Sequence, residues 1–469
     1  MIKRNNASSA SASSSFASFS SSSSSTTLLN GTDGDPGVYP GSYNGGSKGW
    51  TFMPDITDIA GSTLDTTSLT VGSGSILTHY ITSNFTPSSI KRAVVLIHGQ
   101  DRPSWNMQIY GNLALQRAVT GGDVKAEEVV IMSPQFFISI DEGAYPVTST
   151  GKASSDQMVW SSQQGGWGQG DKVVDPSSST VGSFEALDAI LNLFHDKTTY
   201  PALEYVVLAG FSMGAQLVQR YSVFNPDTSE DDRTKYWISS PASFVYLNDS
   251  RPASSSAVEK CNSYNSYKYG LNGTLPAYLD SGVGKLTLDE MGLQTRFIAR
   301  SLNFLVGVED DLASDHSCSA NLQGDSHLVK MYNWVKYVMP YLGGGTGNLP
   351  SNSTIDYVEK ASHDPWLIIN SDPGIQRLFL DDYNGPGQDA AAPSSNGEST
   401  YILYRLLSSF LFLIHFFSHF ILVCTGYTSG TPTASQLKAH ADEAFRTLPS
   451  SFILMAATLV AGTASISFA

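Results

Sequence analysis

One stretch constrains this chain more than any other. Glu204 to Val223 reads Glu-Tyr-Val-Val-Leu-Ala-Gly-Phe-Ser-Met-Gly-Ala-Gln-Leu-Val-Gln-Arg-Tyr-Ser-Val. The apolar run from Tyr205 to Ala209 predicts a buried strand, and the residues from Met213 onward predict a helix. Between them, Ser212 stands two residues from a glycine on either side, Gly210 and Gly214. A serine at the tip of so tight a strand-to-helix turn is held in a strained backbone conformation, so those two neighbours cannot carry side chains. The G-x-S-x-G turn is a nucleophile elbow: it lifts the hydroxyl above the sheet edge, and the helix start behind it offers N–H groups to a developing oxyanion.

The pentapeptide alone decides little. With 41 glycines and 68 serines in 469 residues, about one chance match arises in every two such chains. A second match is present, Gly45-Gly46-Ser47-Lys48-Gly49. No apolar strand precedes it and no helical pattern follows, so it reads as loop. Context separates the two serines.

The length allows two or three domains, and an apolar fraction of 41% suffices for a large core. A net charge of −15 argues against nucleic acid or an anionic membrane surface as partner. Six N-x-S/T sequons, at Asn6, Asn30, Asn84, Asn248, Asn272 and Asn352, lean towards a secretory route and a glycoprotein. Against that, Met1-Ile2-Lys3-Arg4 is followed by a serine tract where a signal peptide has an apolar core.

Residues 1–35 are rich in Ser, Ala and Thr and are expected to be disordered. A domain over 36–384 follows, with strands expected at Leu69–Val71, Ile76–Ile81, Ala93–Ile97, Glu128–Met132, Tyr205–Ala209, Tyr236–Ile238, Phe304–Gly307 and Ile355–Val358. Helices are expected at Trp105–Val119, at Phe184–Phe194 with Ser183 as its cap, at His327–Leu342 and around Ile375–Leu380. A long loop spans Phe136 to Asp175, and a polar, Tyr-rich insertion covers 254–294. Strands alternating with helices in this way mean an α/β fold, a mostly parallel sheet covered on both faces.

A serine hydroxyl needs an imidazole to take its proton and a carboxylate to orient that imidazole, and in this arrangement the acid follows the serine and the histidine follows the acid. Gly307-Val308-Glu309-Asp310-Asp311 leaves a buried strand where an acid would project over the sheet edge. His363 comes after the last strand. His316 and His327 stand close to the acid loop in sequence, His415 and His419 lie in an apolar run, and His440 is in the tail, so each fits worse. His98 precedes the acid and reads as structural. The Met213 N–H is the first oxyanion donor by elbow geometry, and Gln100, after His98-Gly99, supplies the second. Trp105, Trp160 and Trp167 are candidates for pocket walls or for ordinary packing. No metal or cofactor is expected.

These residues together make the chain resemble the α/β-hydrolase superfamily, and more narrowly a group of poorly characterised fungal hydrolase-like proteins. The resemblance runs from about Ser68 to Tyr383. It rests on Val95-Leu96-Ile97-His98-Gly99, the elbow, Ser240-Pro241-Ala242-Ser243-Phe244, Tyr267-Lys268-Tyr269-Gly270-Leu271, Val306-Gly307-Val308-Glu309-Asp310, Gln323-Gly324 and Ser362-His363-Asp364. It implies the α/β-hydrolase fold and hydrolysis of a carboxylic ester by Ser212, Asp310 and His363, the acid standing three residues after the strand's glycine, with Asp311 the alternative acid. A rival function is a catalytically silent, membrane-tethered member that uses the pocket for binding. The resemblance also implies a disulfide between Cys261 and Cys318, against the alternative of two buried thiols.

Beyond the domain come a linker at 385–400, a candidate transmembrane helix at 401–424, a polar linker at 425–449 and an apolar segment at 450–469. Leu406 to Cys424 is 19 residues without a formal charge, long enough to span a bilayer. The expectation is a membrane-associated protein of the secretory pathway or cell surface. The same run interrupts a continuous polar tail, and its Phe, Leu, Ser and Ile content is also that of a translated pyrimidine-rich intron.

Overall fold

Apolar side chains recur at every second position of the central strands, and the two alternating sets enter different cores. In the computed structural model, Ala93, Val95 and Ile97 join one core while Val94 and Leu96 join the other. Val206 and Leu208 divide from Val207, Ala209 and Phe211 in the same way. A strand buried on both faces has no polar side to show, which is why these segments read as unbroken apolar runs. The structure describes residues 34–39, 48–54, 57, 59–122, 124–147, 154–162, 166–280, 282, 284–312 and 315–380. The chain divides into two units, 1–395 and 396–469, and all described residues belong to the first. The serine at position 47, most of the N-terminal tract, the linkers and both C-terminal apolar segments lie outside the described residues.

Eight strands form the main sheet: β1 (Ser62–Asp65), β2 (His79–Thr82), β3 (Arg92–Ile97), β4 (Val129–Pro134), β5 (Tyr205–Phe211), β6 (Thr234–Ser239), β7 (Ser301–Gly307) and β8 (Ser353–Val358). Their order is β1-β2-β4-β3-β5-β6-β7-β8. The pairs β1/β2 and β2/β4 are antiparallel, and every other pair is parallel. Helices α1 (Ser104–Gly121) and α6 (Pro365–Ile369) cover one face. The other is covered by α2 (Ser183–His195), α3 (Met213–Phe224), α4 (Glu290–Ala299) and α5 (His327–Asn333).

One strand was not expected, and three local expectations need correction. The edge strand Ser-Thr-Leu-Asp of β1 has a single apolar residue, so it carries no periodic signal and exists through its pairing with β2. Leu69–Val71 and Ile76–Ile81 do not form two sheet strands. Thr70–Val71 and Ser75–Ile76 make a small ribbon of their own, and the sheet begins again only at His79. The helix expected over His327–Leu342 is α-helical only to Asn333; a wider turn and then a tight turn at Met339–Gly344 follow, where Pro340 cannot donate an N–H. Ser183 is the first residue of α2, not its cap; Gly182 precedes it, and its N–H donates to Glu185 Oε2 at 2.9 Å.

Candidate active site

Sterics fix the elbow first. Ser212 has φ 56° and ψ −115°, between the end of β5 and the first residue of α3. Its N–H donates to Ser239 O on β6 at 2.9 Å, anchoring the strained residue to the neighbouring strand. A Cβ on Gly210 would lie 2.3 Å from the Gly214 carbonyl carbon, and one on Gly214 would lie 2.6 Å from the oxygens of Ile97 and His98. Both glycines are therefore obligatory for the turn.

The structure brings Ser212, His363 and Asp310 together. His363 Nε2 is 3.0 Å from Ser212 Oγ, and His363 Nδ1 is 2.9 Å from Asp310 Oδ2. These groups come from the ends of β5, β7 and β8, and the loops are laced to each other. Val308 N–H donates to Val358 O, and Glu309 N–H to Ala361 O, both at 2.9 Å. Gly307 permits that approach, since a Cβ there would sit 2.2 Å from Ala361 O. Asp310 is fully buried, whereas Asp311 faces solvent and takes no part.

His363, not His327, is the histidine that reaches Ser212, as the sequence order implies, but the structure gives His327 a contact that the sequence does not show. Its Nδ1 lies 3.0 Å from Asp310 Oδ1, the oxygen that His363 leaves unused. Its ring stacks on His363 with centroids 4.1 Å apart and planes 17° from parallel. Closeness in sequence is what makes the contact possible. The start of α5 packs against the acid loop, with Leu328 N–H donating to Asp310 O at 3.0 Å and His327 N–H to Leu312 O at 3.2 Å.

Burial alone would raise the Asp310 pKa, but hydrogen bonds from His327 and His363 outweigh it and hold the carboxyl well below the usual carboxylate range. An ionised Asp310 accepts only, so each imidazole presents Nδ1–H to it. His363 Nε2 then carries the lone pair that accepts the Ser212 hydroxyl proton. Asp310, His327 and His363 also offer potential ligand atoms within 4.8 Å of one another. In this arrangement both Nδ1–H groups are directed at the carboxylate.

On the other side of Ser212, the Met213 N–H opens α3 and is one of the donors a helix cannot satisfy within itself. The loop after β3 passes beside the serine, because a Cβ on Gly99 would lie 3.3 Å from Ser212 Cβ, and Gln100 follows it exposed. This loop is braced by Arg102, which sequence reasoning missed. Arg102 has φ 65°, and its guanidinium donates to both oxygens of buried Asp141, at 2.8 and 3.0 Å, and to Gln100 O at 2.5 Å. His98 is structural as expected: Nδ1 lies 2.9 Å from Gly99 O, and Nε2 accepts from Phe136 N–H at 3.1 Å. Burial pushes its pKa down to about 3, so it stays neutral.

Trp105, Trp160 and Trp167 are all buried, at 0%, 0% and 2% exposure. Trp105 packs edge-on against Trp50, and Trp167 stacks on Phe136 and meets His98 edge-on. They form core, not pocket walls. Cys261 and Cys318 are joined by a disulfide with Cα atoms 5.8 Å apart, tying the Tyr-rich insertion to the segment after the acid loop. Among the described residues, no helix is long and apolar enough to cross a membrane.

A mostly parallel sheet with helices on both faces, a serine elbow after β5, an acid after β7 and a histidine after β8 define the α/β-hydrolase fold. No family profile matches the chain, and no curated protein matches it. Solved structures with a similar chain trace include a poly(3-hydroxybutyrate) depolymerase from Bordetella parapertussis, 16% identical, covering 71% of this chain and 94% of that one with a TM-score of 0.42. Poly(aspartic acid) hydrolase-1 from Sphingomonas is 14% identical, covering 68% and 96%, with a TM-score of 0.41. A siderophore hydrolase from Aspergillus nidulans is 11% identical, covering 71% and 100%, with a TM-score of 0.37.

Proposed function

We propose that the chain is a serine hydrolase that cleaves carboxylic esters through an acyl-enzyme. The observation that supports this is the hydrogen-bonded line from Ser212 Oγ through His363 to buried Asp310, starting from a serine at φ 56°. Ser212 Oγ attacks the ester carbonyl carbon while its proton passes to His363 Nε2. Negative charge then develops on the carbonyl oxygen, in reach of the N–H groups of Met213 and Gln100. The intermediate collapses, the C–O bond to the alcohol breaks, and His363 returns the proton to the leaving oxygen. Water, deprotonated by His363, attacks the acyl-serine, and the acid leaves with Ser212 restored. Throughout, Asp310 stays ionised and holds His363 in the required tautomer.

The purified protein should be labelled by a fluorophosphonate probe at Ser212, and a panel of esters of graded acyl length should identify the substrate class. A folded protein that neither labels nor turns over any ester refutes the reading.

The same proposal places the chain in the secretory pathway. The Cys261–Cys318 bond supports an oxidising compartment, and Asn84 and Asn272 are sequons on exposed residues. In that setting the apolar run Leu406 to Cys424 would hold the protein at a membrane.

A further inference from the structure

A carboxylate on a single hydrogen bond can turn about its terminal torsion, which is broad and two-fold. Asp310 is fully buried, so an oxygen without a protein donor would carry the whole cost of its lost hydration. His327 removes both problems at once. Its Nδ1–H takes Oδ1 at 3.0 Å, leaving Oδ2 to face His363 at 2.9 Å. His327 is held in turn by its backbone bond to Leu312 and by the start of α5, where Ser326 Oγ accepts from Val329 N–H at 3.2 Å.

The ring contact adds a second constraint. The His363 side chain is 18% exposed, against 0% for the other two groups, and is therefore the one freest to swing out. Phe211 packs against it at 4.6 Å between centroids and His327 at 4.1 Å. We infer that His327 is a positioning residue, fixing Asp310 through its second oxygen and backing the His363 ring so that Nε2 stays on Ser212. This rests on the proposed hydrolytic role of Ser212, His363 and Asp310.

The charge balance agrees. When His363 takes the serine proton it becomes an imidazolium, and a second cation stacked 4.1 Å away would oppose it. Burial holds the His327 pKa down, as do the charges of His363 and Lys330, against the pull of Asp310. His327 thus serves as a neutral donor, and Asp310 then faces one imidazolium, not two.

Two variants separate donor from filler. His327→Phe keeps a ring on His363 and removes the donor. His327→Asn places an N–H close to the lost Nδ1–H. The near-isosteric pair His327→Asn and His327→Leu repeats the comparison at smaller volume, should the Phe variant not fold. The expected result is a kcat about 10–100-fold lower in the Phe and Leu variants, with KM nearly unchanged and most of the rate restored by Asn. Fluorophosphonate labelling of Ser212 should slow in parallel. The low-field proton resonance of the His363–Asp310 hydrogen bond should persist in the Asn variant and broaden in the others. Wild-type rates in a folded Phe or Leu variant, or an Asn variant as slow as Leu, overturn the inference while the hydrolase reading stands. A wild-type protein inert to the probe overturns both.

Discussion

Arg102 and Asp141 meet in a two-pronged ion pair at the root of the loop that carries Gln100, with both side chains out of solvent. Asp141 also accepts from the N–H groups of Trp50 and Ile138, each at 2.9 Å, so one carboxylate gathers three segments. Removing one member of a buried ion pair leaves the other's charge uncompensated, at a cost of about 3–5 kcal/mol. Asp141→Ala should therefore lose about that much stability in urea titration. The double variant Arg102→Met, Asp141→Leu should lose less than the sum of its parts. A loss below about 1 kcal/mol for Asp141→Ala would mean that the loop is held by something else.

The proposed roles of Ser212, His363 and Asp310 predict an ordered series. Ser212→Ala and His363→Ala should each lower kcat by up to about 10⁶, and Asp310→Asn by about 10⁴. Asp311→Asn should be near wild type, because Asp311 faces solvent while Asp310 is buried between two imidazoles. Steady-state kinetics on an activated ester read all four. Full activity in Ser212→Ala would remove the serine from the chemistry altogether.

Asp188 on α2 predicts a pH dependence of stability. Its Oδ1 accepts from Tyr221 at 2.5 Å and Tyr278 at 3.2 Å, but burial dominates and pushes its pKa up to about 6. The folded state then binds a proton that the unfolded state, with an ordinary carboxyl near 3.8, has already released. Stability from this group is therefore full below about pH 4 and is lost as pH rises through about 6. Asp188→Asn keeps the acceptor oxygen and abolishes the titration. It should match wild type near pH 4 and exceed it by up to about 3 kcal/mol at pH 7. Parallel denaturation curves across pH 4–7 would exclude this account.

The C-terminal apolar run is tested at the level of the message. A transcript that retains the codons for Tyr401 to Cys424 excludes the intron reading. The product should then stay with membranes through a carbonate wash, as a spanning helix does. Release into the supernatant would count against membrane attachment.

The elbow was legible in the sequence because its demands are local. A serine at positive φ excludes side chains two residues away, where a Cβ would collide with backbone, and that exclusion is written as Gly210 and Gly214. The central strands were legible because burial on both faces leaves no polar position in the run. The edge strand β1 was not, since its partner, not its composition, makes it a strand. The acid loop lies between these cases. Its place after β7 followed from the pattern, but only folding decides that Asp310 turns in and Asp311 turns out. His327 was beyond reach of the sequence altogether. Its role depends on the second oxygen of a carboxylate whose first oxygen is already taken, and on one ring lying 4.1 Å from another. Spacing along the chain records neither relationship, because hydrogen-bond direction and ring stacking exist only once separate loops have been brought to the same point.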